Sequence, residues 1–135
     1  NVYYTNNGLL RSNLQSIELW DLIKKQGELH PIVKSGVLTQ ILLKNAPVNK
    51  DTLWNMVKKI CDETKTAYFT FGFDFYYCSK CGLFEKGSIG NKCSKCGADE
   101  HNVEWISKVD GNYSRIKPAE KEKRSKNKTY TRWSL

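Results

Sequence analysis

Two short strings constrain this chain more than anything else in it: Cys78-Ser79-Lys80-Cys81-Gly82 and Cys93-Ser94-Lys95-Cys96-Gly97. A two-residue spacer lets both thiolates of a pair face one ion, and the glycine behind them gives the backbone freedom to turn. The stretch between the pairs, residues 82–92, is long enough for a hairpin that brings them together. Four soft thiolates in a closed tetrahedron suit Zn²⁺, with iron as the chemical alternative. Lys80 and Lys95, inside the pairs, offset the negative charge of a four-thiolate zinc centre. Four protein ligands leave no open position for a substrate, so such a zinc is structural. The competing reading, reduced structural cysteines or two disulfides, is weak, because so small and polar a segment has little core of its own. A secreted disulfide framework scatters an even number of cysteines, whereas this chain has five and opens on no export signal. A reducing, cytoplasmic compartment follows.

Around this segment the pattern is α/β. Val2-Tyr3-Tyr4-Thr5 favours a strand and stops at Asn6-Asn7-Gly8. Ser12 or Asn13 caps a helix to about Gln26, with Leu14, Ile17, Leu22 and Ile23 on one face. Gly27 is placed for its C-cap, and Lys24 and Lys25 for its negative end. Residues 36–43 read as a buried strand. Asn49 caps a second helix in which Leu53, Met56, Val57, Ile60 and Cys61 recur at helical spacing to about Lys65. Residues 67–75, aromatic-rich, form the next strand, and residues 103–109 alternate as another. The division is therefore residues 1–75 as an α/β body, 76–113 as a Cys₄ ribbon with the loop after it, and 114–135 as a tail.

Charge is concentrated in that tail. Of a net charge of +8, residues 114–135 supply +6, from Arg115, Lys117, Lys121, Lys123, Arg124, Lys126, Lys128 and Arg132 against Glu120 and Glu122. The body is nearly neutral, which disfavours a nucleic-acid surface spread over the whole domain and leaves a basic arm as the only candidate. A solvated tail with weak, nonspecific affinity for nucleic acid is the expectation. Nothing approaches the roughly 20 apolar residues of a membrane span. Cys61 reads as a small buried hydrophobe, and His30 and His101 as surface loop residues. Motifs of polar catalysis (GxSxG, HExxH, a P-loop, GxGxxG) are absent.

Taken in order, several segments resemble the C-terminal part of an anaerobic class III ribonucleoside-triphosphate reductase, a glycyl radical enzyme. They are Tyr3-Tyr4-Thr5-Asn6; Glu28-Leu29-His30-Pro31 with Lys34-Ser35-Gly36-Val37-Leu38; the helix from Asn49 leading to Ala67-Tyr68-Phe69-Thr70; the two cysteine pairs; and Trp105-Ile106-Ser107-Lys108-Val109-Asp110-Gly111. The resemblance covers about residues 2–115. It implies a body similar to the end of the family's barrel, then a Cys₄ zinc ribbon (Cys78, Cys81, Cys93, Cys96), then a loop whose Gly111 holds the radical. Glycine suits that role, because an α-carbon with no side chain can become planar and delocalise its unpaired electron into both flanking peptides.

The sequence departs from the family pattern where Asn112 separates Gly111 from Tyr113 and in the segment Ile116-Lys117-Pro118-Ala119-Glu120-Lys121. The resemblance also implies partners, because 135 residues cannot hold the family's thiyl-radical cysteine, substrate site and allosteric site. With Asn1 rather than Met at its start, the chain reads as a fragment, a separately encoded subunit or a replaceable radical domain. It would act with a barrel partner and a radical-SAM activase in reducing ribonucleoside triphosphates. The alternative is a non-enzymatic zinc-ribbon module that binds nucleic acid or protein through its basic tail.

Overall fold

The computed structural model describes residues 17–34, 37–45, 49–87, 92–109, 112–128 and 130–135. The strand expected at residues 2–5, the caps Ser12 and Asn13, Leu14 and Gly111 lie outside them. Among the described residues no helix is long and apolar enough to cross a membrane.

Helix α1 (Leu19–Leu29) starts later than its periodicity implies and runs through Gly27. Gly27 is not a cap. It is buried inside the helix, where a Cβ would come within 2.7 Å of Thr66 Oγ1, so glycine here permits close approach to the segment after the second helix. Lys24 and Lys25 consequently sit in mid-helix, and the ammonium groups of Lys24 and Lys59 lie 5.7 and 4.3 Å from the centre of the Trp20 ring.

Strand β1 (Thr39–Leu43), helix α2 (Lys50–Glu63) and strand β2 (Phe69–Phe73) form a βαβ unit with the two strands parallel, Thr39 opposite Phe69 and Leu43 opposite Phe73. Asn49 caps α2 as expected, its side chain accepting from the Asp51 N–H at 2.8 Å. Ile60 on α2 joins Leu19, Ile23, Ile41 and Leu43 in the main core, with Met56, Phe69, Phe71, Phe73 and Trp133 against it. Cys61 is exposed. One residue beyond Ile60 is about 100° around the helix, which turns the thiol away from the core stripe.

His30 corrects a further expectation. It is 7% exposed, and the Ala67 N–H donates to its Nδ1 at 3.1 Å while Nε2 lies 3.0 Å from Thr39 Oγ1. The Thr39 hydroxyl donates to Gln26 Oε1 at 2.7 Å, so it accepts from a neutral Nε2–H. Burial lowers the His30 pKa, because the charged imidazolium loses its hydration there. The unfolded chain therefore binds this proton first, near pH 6.5, and stability that is complete above that pH falls as the pH drops below it. We expect the urea midpoint to be lower at pH 5.5 than at pH 7.5. The His30-dependent part should vanish in His30→Gln; an identical drop in the variant would show that other groups cause it.

The expected strand at residues 67–75 is two strands. The chain leaves β2 at Asp74 and enters β3 (Phe75–Cys78), which belongs to a separate antiparallel sheet. That sheet has the order β4 (Phe84–Lys86), β3, β5 (Val103–Val109), β6 (Asn112–Ile116). The break has a cause. Asp74 is 2% exposed, and its carboxylate accepts from Ser107 Oγ at 2.6 Å on β5 and from Arg132 Nε at 2.6 Å.

Arg132 belongs to the basic tail, which is not a solvated arm. Its first three residues complete β6, which pairs along β5 from Val109–Asn112 to Trp105–Ile116. Helix α3 (Lys121–Lys128) follows, with Arg124 and Asn127 buried. The end of the chain returns to the body, where the Trp133 N–H donates to Leu42 O at 2.8 Å and the Lys44 N–H to Trp133 O at 2.9 Å. A run of cations reads as solvated because burying charge is costly; one buried carboxylate and two apolar anchors, Ile116 and Trp133, reverse that outcome here.

Candidate metal centre

Both cysteine pairs fold by the same local rule. In the first, the Cys78 N–H donates to Leu83 O at 2.8 Å and the Gly82 N–H to Cys78 O at 2.9 Å. In the second, the Cys93 N–H donates to Ala98 O at 2.8 Å and the Gly97 N–H to Cys93 O at 3.0 Å. Gly82 and Gly97 have φ of +71° and +68°. This left-handed backbone costs an ordinary L-residue about 1–2 kcal/mol, and it is the turn behind the thiolates that the sequence implies.

The two knuckles bring Cys78, Cys81, Cys93 and Cys96 into one cluster, with every sulfur within 4.8 Å of the others. Cys78 and Cys96 are 3.7 Å apart, and Cys81 and Cys93 3.6 Å. A tetrahedron with Zn–S bonds of about 2.3 Å requires sulfur–sulfur edges of about 3.8 Å, so the set fits zinc. None of these cysteines is in a disulfide. Charge points the same way. The Leu83 N–H favours a Cys81 thiolate, but burial and the three neighbouring sulfurs outweigh it and push its pKa up to about 12. Cys93 goes the other way, to about 7, drawn down by the Cys96 and Lys95 backbone N–H groups against the effect of burial. Four thiolates this close repel one another, and a cation at their centre removes the conflict.

Supporting contacts tie the cluster to the sheet. Cys78 pairs with Val103 across β3 and β5. The Tyr76 hydroxyl donates to the Glu85 carboxylate, which also accepts from Ser94 Oγ of the second knuckle at 3.0 Å. That acceptor holds the Tyr76 phenol above its ordinary pKa and keeps it a donor. The Ser79 N–H donates to Asn102 O at 2.9 Å. Tyr76, Cys78, Cys93, Ala98 and Val103 make up a small second core, with Cys81 and Leu83 against it. Lys80 and Lys95 are exposed, as are Cys96 and His101. Cys61 takes no part in the cluster. Gly111 lies outside the described residues. What the sequence reading missed is the buried Asp74–Ser107–Arg132 group; the one available signal was an isolated Arg-Trp pair at the end of a Lys-rich run.

The fold has clear counterparts. A solved anaerobic ribonucleotide reductase aligns with a TM-score of 0.64 at 21% identity, over 87% of this chain and 18% of that one. The anaerobic ribonucleotide reductase of Thermotoga maritima, solved with MES in its active site, aligns with a TM-score of 0.56 at 22% identity, over 77% and 16%. The same organism's reductase in complex with dATP and CTP gives 0.57 at 21% identity, over 84% and 17%. The chain thus spans less than a fifth of these structures. A search of curated proteins finds no significant match. The family model described as anaerobic ribonucleoside-triphosphate reductase matches residues 1–130. With nearly its whole length matched, the chain belongs to the anaerobic ribonucleoside-triphosphate reductase family, as a C-terminal part.

Proposed function

We propose that this chain is the glycyl-radical-bearing segment of an oxygen-sensitive anaerobic ribonucleotide reductase in the cytoplasm, with the radical stored on Gly111. The observation that carries this reading is strand β5, which begins opposite Cys78 and ends at Val109, itself paired with Asn112. Asp110 and Gly111 are the two residues between those partners in sequence. A seven-residue strand spans about 20 Å, so one element leads from the four-cysteine cluster to Val109, two residues before Gly111 in the sequence.

In this reading residues 1–75 end a barrel and residues 76–113 carry the metal site and radical loop. Zn²⁺ would be held by Cys78, Cys81, Cys93 and Cys96, and would supply structural cross-linking of the two knuckles. Ser107, buried on β5, fixes that strand by donating to Asp74. Gly111 gives up one hydrogen atom from its α-carbon to the adenosyl radical that a radical-SAM activase makes from S-adenosylmethionine. It later takes a hydrogen atom from a cysteine thiol on the barrel partner, which restores glycine and leaves a thiyl radical there. Reduction of a ribonucleoside triphosphate to the 2′-deoxyribonucleoside triphosphate then belongs to the partner.

The test is anaerobic incubation with the barrel partner, the activase, S-adenosylmethionine and reductant, followed by electron paramagnetic resonance. An organic radical is expected from the native chain and none from Gly111→Ala, with metal content equal in both. Oxygen should then cut the radical-bearing chain at residue 111, visible by mass spectrometry after denaturation. No radical and no oxygen-dependent cut, with an activase that works on another reductase, would make Gly111 an ordinary turn residue.

A further inference from the structure

Helix α3 turns Lys121, Arg124, Ser125 and Lys128 toward a groove of about 280 Å³ that Glu100 and His101 also line. Those helix positions are i, i+3, i+4 and i+7, a single stripe about 10 Å long from Lys121 to Lys128. Arg124 is 9% exposed, and its hydrogen bond goes to a backbone carbonyl, Val103 O at 3.3 Å. No carboxylate reaches it: the ion pairs among the described residues involve Arg115, Lys123 and Arg132. Arg132, less enclosed with its side chain 14% exposed, is by contrast matched by Asp74 at 2.6 Å. A guanidinium taken out of water without a counter-ion is costly, and this one opens onto a groove where two more cations stand against a single acidic residue.

We infer that this groove binds a chain of phosphoryl groups, as in inorganic triphosphate or the phosphate tail of a nucleoside triphosphate. The fork of Arg124 suits two oxygens of one phosphoryl group, and Lys121 and Lys128 act as point charges on either side. A stripe about 10 Å long matches several linked anionic groups rather than one. The groove falls below the roughly 300–1,000 Å³ of pockets that engulf a whole small molecule, and no Phe, Tyr or Trp lines it. It therefore reads phosphate and leaves any base outside. This inference is independent of the role of Gly111.

Calorimetric titration of the metal-loaded full chain tests it with four probes: inorganic triphosphate, orthophosphate, adenosine triphosphate and a single-stranded oligonucleotide. Triphosphate is expected to bind, more weakly as salt is raised, with orthophosphate about tenfold weaker and adenosine triphosphate equal to triphosphate. Lys121→Gln combined with Lys128→Gln should weaken triphosphate binding by about tenfold or more at an unchanged melting temperature. Lys50→Gln combined with Lys58→Gln removes the same charge from α2 and should leave binding as it was. Equal losses in the two double variants, no triphosphate binding, or tighter binding of the oligonucleotide than of triphosphate would each overturn the inference.

Discussion

Replacing Cys78 by serine is expected to abolish metal binding and to unfold residues 75–109 while the βαβ body stays folded. Cys78 is fully buried, and two of the five members of the second core, Cys78 and Cys93, belong to the four-cysteine cluster. Without an ion that core has little apolar surface to set against the entropy of ordering its loops. Metal binding to a structural four-ligand site contributes on the order of 10–16 kcal/mol at neutral pH, more than a core this small can supply. Elemental analysis should give one zinc per native chain and close to none in Cys78→Ser. Amide hydrogen exchange should show protection lost on β3 and β5 but kept on α2. Cys61→Ala, at an exposed position outside the cluster, should change neither. Persistent protection of β5 without metal would mean that its pairing with β6 stabilises the sheet unaided.

The second large effect is expected at Asp74. Its carboxylate holds together three parts of the chain: the junction of β2 and β3, Ser107 on β5, and Arg132 near the end of the chain. Asp74→Ala leaves the Arg132 guanidinium, whose side chain is 14% exposed, without its counter-charge, and leaves the fully buried Ser107 hydroxyl without its close acceptor. Breaking a buried pair in this way costs about 3–5 kcal/mol, which for a chain of this size lowers the melting temperature by on the order of 10 °C. Adding Arg132→Met should restore part of the loss, because the orphaned charge is then gone. A loss below about 1 kcal/mol would place Asp74 among ordinary surface ion pairs.

These two sites differ in how openly the sequence displays them. The knuckles are legible because their geometry is local: five residues carry both ligands and the left-handed glycine, and the same hydrogen bonds recur in each. Helix α2 is legible for a similar reason, its cap and apolar stripe lying within one element. Asp74 is not, since its meaning depends on Arg132, 58 positions away. The same holds for His30, whose acceptor nitrogen is satisfied by Ala67, and for Gly27, which looks like a helix stop until Thr66 is placed against it. The basic tail misleads most. Composition reports its charge faithfully and says nothing of the strand and the tryptophan that draw it back.

That return of the tail bears on what happens when the backbone is broken between Val109 and Asn112. The smaller piece would keep its full ladder along β5, the Arg132–Asp74 pair and the hydrogen bonds of Trp133 to Leu42 and Lys44. The nicked molecule would travel as a single particle under native conditions and come apart only in denaturant. Damage at this point is then a matter of continuity rather than of shape.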